Sequence, residues 1–480
     1  MLSQPLLLFL SLGLPLTQAA ETILGAYIFH RHGDRTDKSH PPANLTDLGY
    51  REVYTSGQYF RDRYVSSSAS AKIAGLNSDL VKNSQLTVSA PSDTVLMNSA
   101  QGFLQGLYPP VGSTLGTQTL RNGTTVEAPL NGYQLIPISQ VQGGSGSENS
   151  AWLQGSTNCA KAEASSNEYF STPDYLKMLN ETQSFYTSLT PMINATFTAD
   201  EINFKNAYTI FDLLYVASIH NQTIPAQNLL TNETLFQART LADHHEYNLA
   251  FNSTAPIRAV GGATLAAQIV SQLNTTITGQ GKSKLGIQFG AYGSFQSFFG
   301  LANLTSTNPD FFGVPDYASS MIFELYTNSS ATPFPDASEI NVRFLFHNGT
   351  TSNTSEPAVY PLFGQQETSL TWQDFAEGMG KFSIGTQQAW CSACGNTTGS
   401  CAPSSTSTSG SASATATSST HHGSHLSNAV AGVIGAMVTL GVIFGLEAII
   451  MLLGGLRLVT KNRLRAPATA GQGDTIVGKA

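Results

Sequence analysis

The sequence predicts an α/β fold, in which helices flank a central sheet. Two observations support this prediction. Apolar strands alternate with amphipathic helical stretches across residues 21–402. Three segments in this range also share one order, in which an apolar strand runs into a tight turn and the turn runs into a helix. Because ligands in open α/β sheets bind beyond the carboxyl ends of the strands, we expect the three turns to meet at one pocket.

The first of these segments ends its strand in a charged turn. The apolar strand TILGAYIF, residues 22–29, is followed by HRHGDRT. A helix is predicted to begin after Thr46, whose hydroxyl is suited to cap it. His30 is interpreted as a packing residue at the strand end. Only 11% of the chain is charged, so two arginines around one histidine stand out in this turn.

The second and third segments repeat this order of strand, turn and helix, but their turns carry little charge. The second turn contains one acid, and the third turn contains no charged residue. The strand QLTVSA, residues 85–90, leads through Pro91-Ser92-Asp93 into a helix that the pair Pro109-Pro110 ends. The strand KLGIQFG, residues 284–290, leads through Ala291-Tyr292-Gly293 into the helix SFQSFFGLANL. Both turns are expected at the same edge of the sheet as the first.

The two ends of the chain predict a membrane topology. Residues 1–20 have the apolar run and the small-residue ending of a signal peptide. Residues 428–456 are predicted to form a transmembrane helix because of their length and apolarity, and the basic residues of a predicted cytoplasmic tail, 457–480, follow them. Between them lie an ectodomain, 21–402, and a Ser/Thr-rich stalk, 403–427. The prediction is a single-pass type I protein of the cell surface or a secretory-pathway membrane, with its ectodomain extracellular or luminal.

Potential glycosylation sites agree with that topology. Thirteen Asn-X-Ser/Thr sequons occur in the chain, and none follows the predicted span. They are Asn44, Asn122, Asn180, Asn194, Asn221, Asn232, Asn252, Asn274, Asn303, Asn328, Asn348, Asn353 and Asn396. A heavily glycosylated ectodomain is therefore predicted. The net charge of −8, with no basic run outside the membrane flank, argues against nucleic acid as a partner.

The four cysteines are predicted to form disulfides. An even number in an oxidising compartment favours bridges, and four cysteines allow three pairings. They are Cys159, Cys391, Cys394 and Cys401. The CSAC stretch lacks a second CxxC and a nearby histidine pair, so it predicts structural disulfides and no zinc site.

The residues of the first turn suit phosphoryl chemistry. Guanidinium groups bind the non-bridging oxygens of a phosphate in bidentate fashion and stay charged at any working pH. An imidazole can attack phosphorus and form a phosphohistidine, which divides one difficult hydrolysis into two easier steps. Arg31, His32 and Arg35 therefore form a candidate phosphate site, with Gly33 allowing tight curvature after the histidine.

Several stretches resemble the histidine acid phosphatases, the clade that includes prostatic-type acid phosphatases and fungal phytases. FHRHGDRT is similar to the nucleophile motif of that family, NSAQGFLQGLYPP to its next block, and FFGLANL with VPDYASSMIFEL to its late block. The resemblance spans most of residues 21–380. It implies a phosphoglycerate mutase-like α/β core with a mostly helical insertion within residues 130–260. It also implies His32 as nucleophile, Arg31 and Arg35 as phosphate ligands, and neither metal nor cofactor.

The same resemblance exposes two departures. The family has a third phosphate-binding arginine ten residues before the Ser of its second block, and counting back from Ser99 gives Ser89. The family also has a His-Asp pair before the helix of its late block, where this chain has Ala291 and Tyr292. In the family that histidine contacts phosphate and that aspartate protonates the leaving group. Ser89 and Tyr292 are thus expected to contact the substrate, but their side chains cannot replace the family's arginine and aspartate.

Two main hypotheses follow for function. In the first, the protein is a membrane-tethered extracellular glycoprotein that binds a phosphorylated small molecule or phosphate, while its hydrolysis is weak or lost. In the second, it is an active acid phosphatase that uses a substitute acid. Asp34, Tyr292 and the DHHEY stretch, residues 243–247, are the possible substitutes, although DHHEY is better interpreted as a solvated helix face. A purely structural role for a glycosylated surface protein is a third alternative.

Overall fold

A computed structural model describes residues 21–141, 158–220 and 224–402. The predicted signal peptide, stalk, transmembrane helix and cytoplasmic tail lie outside the described residues. Among the helices of the described ranges, none combines the length and apolarity that a membrane crossing requires.

The strands of the described residues number β1 to β10 in chain order. They are β1 Thr22–Arg31, β2 Leu86–Pro91, β3 Thr117–Thr119, β4 Thr125–Glu127, β5 Ser139–Val141, β6 Leu285–Gly290, β7 Ser320–Thr327, β8 Asn341–His347, β9 Ala358–Tyr360 and β10 Ser369–Thr371.

The α-helices of the same ranges number α1 to α13, and short 3₁₀ turns connect several of them. They are α1 Asp47–Phe60, α2 Thr94–Leu107, α3 Gly112–Leu115, α4 Pro129–Gly132, α5 Ala160–Glu168, α6 Pro173–Glu181, α7 Gln183–Ile193, α8 Ala207–His220, α9 Asn232–Ala250, α10 Val260–Thr278, α11 Tyr292–Leu301, α12 Trp372–Gly380 and α13 Gln387–Cys394.

One mixed sheet organises the described part of the chain. Its strand order is β10-β8-β7-β1-β6-β2-β5, with β9 paired to β8. β1 is parallel to β6, and β6 is parallel to β2, so the three strands predicted from the sequence are direct neighbours. β7 is antiparallel to β1. The predicted α/β fold is confirmed, and the carboxyl ends of β1, β6 and β2 point to one edge.

Helices cover both faces of this sheet because its central strands are apolar on both sides. On one face, Val53 and Phe60 of α1 and Phe103 of α2 pack with Ile28 and Ile287 of the strands. On the other face, side chains of α10 and α11 pack with Phe29 and Phe323. Thr46 caps α1 as predicted, since its side chain accepts a hydrogen bond from the Gly49 amide.

A helical insertion separates β5 from β6 along the chain. Helices α5 to α9 span residues 160–250, within the limits that the sequence predicted. Their apolar side chains form a separate core that includes Tyr186, Phe204, Leu214 and Leu241. Tyr292, the first residue of α11, belongs to the same core, so the insertion meets the sheet at the edge where the three turns lie.

Two disulfides join the described cysteines. Cys159 is bonded to Cys394, and Cys391 is bonded to Cys401. The prediction of structural disulfides is confirmed. The two cysteines of the CSAC stretch bind different partners, so they do not form a redox pair with each other.

Candidate active site

The turn after β1 is fixed by a close approach to the start of α1. A Cβ atom at Gly33 would lie 2.2 Å from the Gly49 carbonyl oxygen, and one at Gly49 would lie 2.0 Å from the Asp34 carbonyl oxygen. The Gly33 amide also donates a hydrogen bond of 3.2 Å to the Ser99 hydroxyl of α2. Gly33 has no positive φ. The glycine is therefore required by this contact and not by the backbone curvature that the sequence suggested.

His32 is held in one tautomer by its own turn. Its side chain is wholly buried, and its Nδ1 lies 2.8 Å from the Gly33 carbonyl oxygen. A carbonyl oxygen can only accept a hydrogen bond, so Nδ1 carries the proton. Nε2 then has the lone pair that an attack on phosphorus requires. The imidazole ring lies 5.6 Å from the ring of Tyr317.

Arg31 is enclosed by aromatic rings. Its guanidinium carbon is 4.7 Å from the ring centre of Tyr317 and 5.4 Å from that of Tyr292. Its Nη1 donates a hydrogen bond to the Pro315 carbonyl oxygen. These contacts hold the positive charge in place without neutralising it, because the carbonyl and the rings are uncharged partners. Burial keeps the Tyr317 phenol neutral by raising its pKa.

Arg35 differs, because a carboxylate already binds it. Nη1 and Nη2 lie 3.1 Å and 2.9 Å from the two carboxylate oxygens of Asp212 in α8, and both side chains are buried. The Tyr208 hydroxyl is 3.2 Å from Nη2, and the Lys38 amide donates to Asp212. Burial alone would lower the pKa of Arg35, but the adjoining phenol and carboxylate raise it well above its ordinary value.

This ion pair places a carboxylate where the sequence analysis expected a phosphate oxygen to bind. A bidentate carboxylate occupies the same fork of N–H groups that would grip a phosphoryl group. The void that Arg31, Asp212 and Tyr317 border has a volume of only about 10 Å³. That volume is at the lower limit for one water molecule, so a phosphoryl group needs a rearrangement of these side chains.

Two acidic residues, Asp34 and Glu52, lie close together where the turn after β1 meets α1. The Asp34 carboxylate lies 2.5 Å from Nε2 of His220 at the end of α8 and also accepts a hydrogen bond from Thr46. The Asp34 amide donates to the Glu52 carboxylate at 2.8 Å. Burial raises the pKa of Glu52 to about 7, and the neighbouring Asp34 charge adds to that shift.

Ser89 does not reach the edge of the sheet where the turn after β1 lies. It is level with Gln288 of β6, which is level with Phe29 of β1, two residues before Arg31. Standard strand spacings then place Ser89 about 7 Å back and about 10 Å across from Arg31. A long side chain is needed to bridge that separation, and serine does not provide one. Ser89 instead lines a cavity with Gln288 and Tyr27.

The turn after β6 holds Ala291 and Tyr292. Ala291 is wholly buried and has no titratable group. The Tyr292 hydroxyl donates a hydrogen bond of 2.7 Å to the Glu246 carboxylate, and its ring lies 4.6 Å from that of Tyr208. Tyr292 therefore joins the Arg31 surroundings to the helical insertion.

The interpretation of DHHEY as a solvated helix face is wrong. His245 and Tyr247 are buried, and the His245 ring lies 5.2 Å from that of Phe204 in the core of the insertion. Glu246 contacts both His245 and Tyr292. The many titratable residues in this stretch suggested exposure to solvent, but one side of α9 packs against aromatic rings. The interpretation of His30 as a packing residue is confirmed, because it is wholly buried beside Phe103.

Sequence reasoning missed three residues of this site. Asp212 had a usable signal, since it is the one acid in the otherwise apolar stretch AYTIFDLLYVAS and such a carboxylate needs a partner. Glu52 had none, because one acid on a polar helix face is ordinary. Tyr317 lies within the quoted VPDYASS stretch, but only the fold brings its ring to the two arginines.

The family model described as histidine phosphatase superfamily, branch 2, matches residues 37–347. The rat prostatic acid phosphatase is 26% identical to the chain over 337 residues, which cover 67% of this chain and 80% of the rat protein. The lysosomal acid phosphatase of Xenopus laevis is 24% identical over 339 residues, which cover 68% and 71% of the two chains.

Two solved structures share the fold. The phytase of Citrobacter braakii aligns with a TM-score of 0.51 at 13% identity and covers 78% of this chain and 99% of its own. The phytase of Klebsiella sp. ASR1 aligns with a TM-score of 0.51 at 11% identity and covers 76% and 96% of the two chains. At this level of identity the two phytases establish a common architecture.

Proposed function

The chain belongs to branch 2 of the histidine phosphatase superfamily, and on that premise we propose that it binds phosphomonoesters but hydrolyses them weakly or not at all. In this proposal His32 is the nucleophile and Arg31 and Arg35 hold the phosphoryl oxygens. Ser89 and Tyr292 stand where the family's remaining phosphate and acid groups would contact the substrate. The protein is a membrane-tethered extracellular glycoprotein with a phosphate-binding pocket.

The observation that carries the proposal is the bidentate contact between Arg35 and Asp212. A phosphomonoester must displace that carboxylate before Arg35 can bind it. Doing so leaves Asp212 buried next to a second anion, which is unfavourable unless the carboxylate takes up a proton or α8 moves. Arg31 has no such anionic partner among the described residues and is the more available phosphate ligand.

The second support is the lack of the family's acid at Ala291 and Tyr292. A positioned general acid contributes about 10²- to 10⁴-fold in rate, and a charge-stabilising arginine about 10³- to 10⁵-fold in phosphoryl transfer. The two losses do not add fully, because such groups act as a unit. Binding depends on Arg31 and survives in this proposal, whereas hydrolysis falls by several orders of magnitude.

The membrane and glycoprotein parts of the proposal have their own support. Of the twelve sequons within the described residues, all except Asn252 and Asn396 have an exposed asparagine, as attachment of a glycan requires. Both disulfides fit an oxidising compartment. The predicted span and the signal peptide rest on the sequence alone.

The alternative function is an active acid phosphatase with a substitute acid, and one observation favours it. The Glu52 carboxyl contacts the amide two residues after His32 and has a pKa of about 7. It is therefore protonated at the acid pH at which a leaving group would need a proton. Tyr292, whose hydroxyl is hydrogen-bonded to Glu246, is the other group in reach of the site.

The test is phosphate release by the purified ectodomain, residues 21–402, from 4-nitrophenyl phosphate and from an alkyl phosphate between acid and neutral pH. We expect slow release from the aryl ester, near-background release from the alkyl ester, and none from His32→Ala. The aryl ester suffers less because its leaving group departs as an anion. Similar, substantial rates on both esters, abolished by His32→Ala, would overturn the proposal and establish the alternative, with the acid still to be identified.

A further inference from the structure

A cavity of about 250 Å³ lies between the sheet and α10. Its walls come from β1, β2, β6, α10 and the loop that follows α12, and no residue of the turn 31–35 lines it. The cavity is therefore a different place from the candidate active site, although Ser89 forms part of its wall.

The lining of this cavity is polar and carries no charge. Its polar side chains are three glutamine amides and the hydroxyls of Ser, Thr and Tyr, and the lining contains no Asp, Glu, Lys, Arg or His. An ionised ligand would lose hydration there without gaining a counter-charge, which is unfavourable. Amides and hydroxyls both donate and accept hydrogen bonds, so they suit an uncharged ligand with several polar groups.

Gln288 supplies an independent indication of a ligand. Its side chain is only 1% exposed, and its Oε1 accepts a hydrogen bond from the Tyr27 hydroxyl. Its Nε2 is buried with no hydrogen-bond partner among the described residues. Buried amide donors in folded proteins are nearly always paired. Nε2 itself is not accessible from the cavity that Gln288 lines, so a ligand there supplies the missing acceptor once the Gln288 amide turns toward it.

The cavity is preformed on its outer side. The Ile384 amide donates a hydrogen bond of 3.0 Å to the Ala263 carbonyl oxygen, which holds the loop against α10. A Cβ atom placed on the next residue, Gly385, would lie 3.5 Å from the Cβ of Ala267. A ligand that enters therefore meets a fixed wall and does not have to order the loop.

We propose that this cavity binds a neutral polyhydroxylated molecule of monosaccharide size. Its volume equals that of about eight water molecules in the liquid, which is enough for one sugar ring. The ligand exchanges hydrogen bonds with Ser89 and Ser271, and it accepts one from Nε2 of Gln288 once that amide has turned toward the cavity. Such a binding site is independent of phosphate binding at Arg31, so either proposal can fail without the other.

The test is direct binding to the full-length protein, measured by saturation-transfer NMR and isothermal titration calorimetry. The probes are D-glucose and N-acetyl-D-glucosamine, with D-glucuronate as the charged analogue. A dozen heavy atoms held by neutral hydrogen bonds are expected to give a roughly millimolar Kd. Glucuronate is expected to bind at least about tenfold more weakly, because its carboxylate must lose water without a counter-charge.

Two variants test whether the sugar binds in this cavity. Gly385→Leu projects a side chain across the cavity mouth from an exposed residue and is expected to weaken sugar binding about tenfold or more. Gly380→Leu is the matched control, since a Cβ there meets nothing within 4 Å and Gly380 does not line the cavity. Gln288→Glu removes the buried donor and is expected to abolish binding. Thermal unfolding confirms that each variant is folded.

Three results would overturn the proposal. The first is no saturable binding of either neutral sugar at concentrations about tenfold above a millimolar Kd, which leaves water as the occupant. The second is glucuronate binding as tightly as glucose. The third is sugar binding that Gly385→Leu and Gln288→Glu leave unchanged although both variants fold, because the sugar would then bind elsewhere.

Discussion

Asp212 decides how Arg35 can be used. A carboxylate that binds a guanidinium through both oxygens is a resident competitor for any phosphoryl group. The pair is buried, so its strength is little affected by salt. One side chain of the insertion thus changes the chemistry of a turn that belongs to the sheet.

Asp212→Asn is expected to strengthen phosphate binding and to weaken the fold. Removing one charge of a buried pair costs about 3–5 kcal/mol of unfolding free energy, because the Arg35 charge is left uncompensated. Phosphate then becomes its partner and should raise the unfolding temperature of the variant more than that of the wild type. Thermal unfolding with and without phosphate measures both effects.

The control for this variant is Asp174→Asn, which removes an exposed partner of His244. It changes the net charge equally and is expected to leave phosphate stabilisation at the wild-type level. Equal stabilisation by phosphate in Asp212→Asn and in the wild type would contradict the role given to Asp212.

Glu52 is expected to make the stability depend on pH. Its pKa in the folded protein, about 7, lies above its ordinary value of 4.5, so the folded state holds the proton more tightly than the unfolded chain. The resulting stability is fully present below about pH 4.5 and is lost as the pH rises through about 7. Unfolding of the wild type and of Glu52→Gln should therefore diverge over that range, with the wild type losing more stability. Parallel pH profiles would show that Glu52 titrates normally.

At the scale of elements, the candidate site depends on three parallel neighbours. β1, β6 and β2 end at one edge. The turn after β1 supplies Arg31, His32 and Arg35, and the turn after β6 supplies Tyr292. In the proposed function, the turn after β1 carries the family's residues, whereas the turns after β6 and β2 do not. Helices α1, α11 and α2 follow these turns and pack on the sheet, so on this proposal the changes in two turns leave the fold intact.

Restoring the family's residues at these strand ends tests that interpretation. Ser89→Arg combined with Ala291→His and Tyr292→Asp is expected to raise alkyl-phosphate hydrolysis by about 10²-fold or more, because a poor leaving group needs the acid. Aryl-phosphate hydrolysis should rise less. Ala291 is wholly buried, so the folded state of the triple variant is checked by thermal unfolding first. Equal gains on both esters would mean that the added groups act only in binding.

The disulfides differ in the length of chain that they close. Cys159–Cys394 joins residues 235 positions apart and links the insertion to α13, whereas Cys391–Cys401 spans 10 positions. In the chain-entropy treatment the longer loop is worth about 5 kcal/mol and the shorter about 3 kcal/mol. The double Cys→Ala variant of the long pair should therefore unfold at a lower temperature than that of the short pair. The reverse order would show that local packing outweighs loop closure.

At the scale of the whole molecule, the exposed sequons and the two disulfides support the proposal that residues 21–402 fold outside the cytosol. Exposed sequons are spread over both the sheet domain and the insertion, from Asn44 to Asn353. The ectodomain is expected to be secreted as a soluble protein once the predicted span is deleted, and to lose mass on treatment with N-glycosidase. Recovery only as a detergent-dependent aggregate, without a mass shift, would contradict the proposed topology.

The sequence by itself determined which segments of this protein form the strands, turns and helices around the candidate site. Periodic apolar residues and turn signals are local properties, so β1, β2, β6 and the helices after them could be predicted from adjacent letters. The resemblance to the family motif also indicated Arg31, His32 and Arg35 as the candidate phosphate site, since these lie within five residues of one another.

Only the tertiary structure decided what surrounds those three residues. Asp212 is 177 positions from Arg35, and Glu246 is 46 positions from Tyr292. Contacts over such separations leave no periodic trace in the sequence, because they depend on how the insertion docks on the sheet. The burial that shifts the pKa of Glu52 arises in the same way. The sequence could therefore identify the arginines of the turn, but only folding showed that Asp212 already binds one of them.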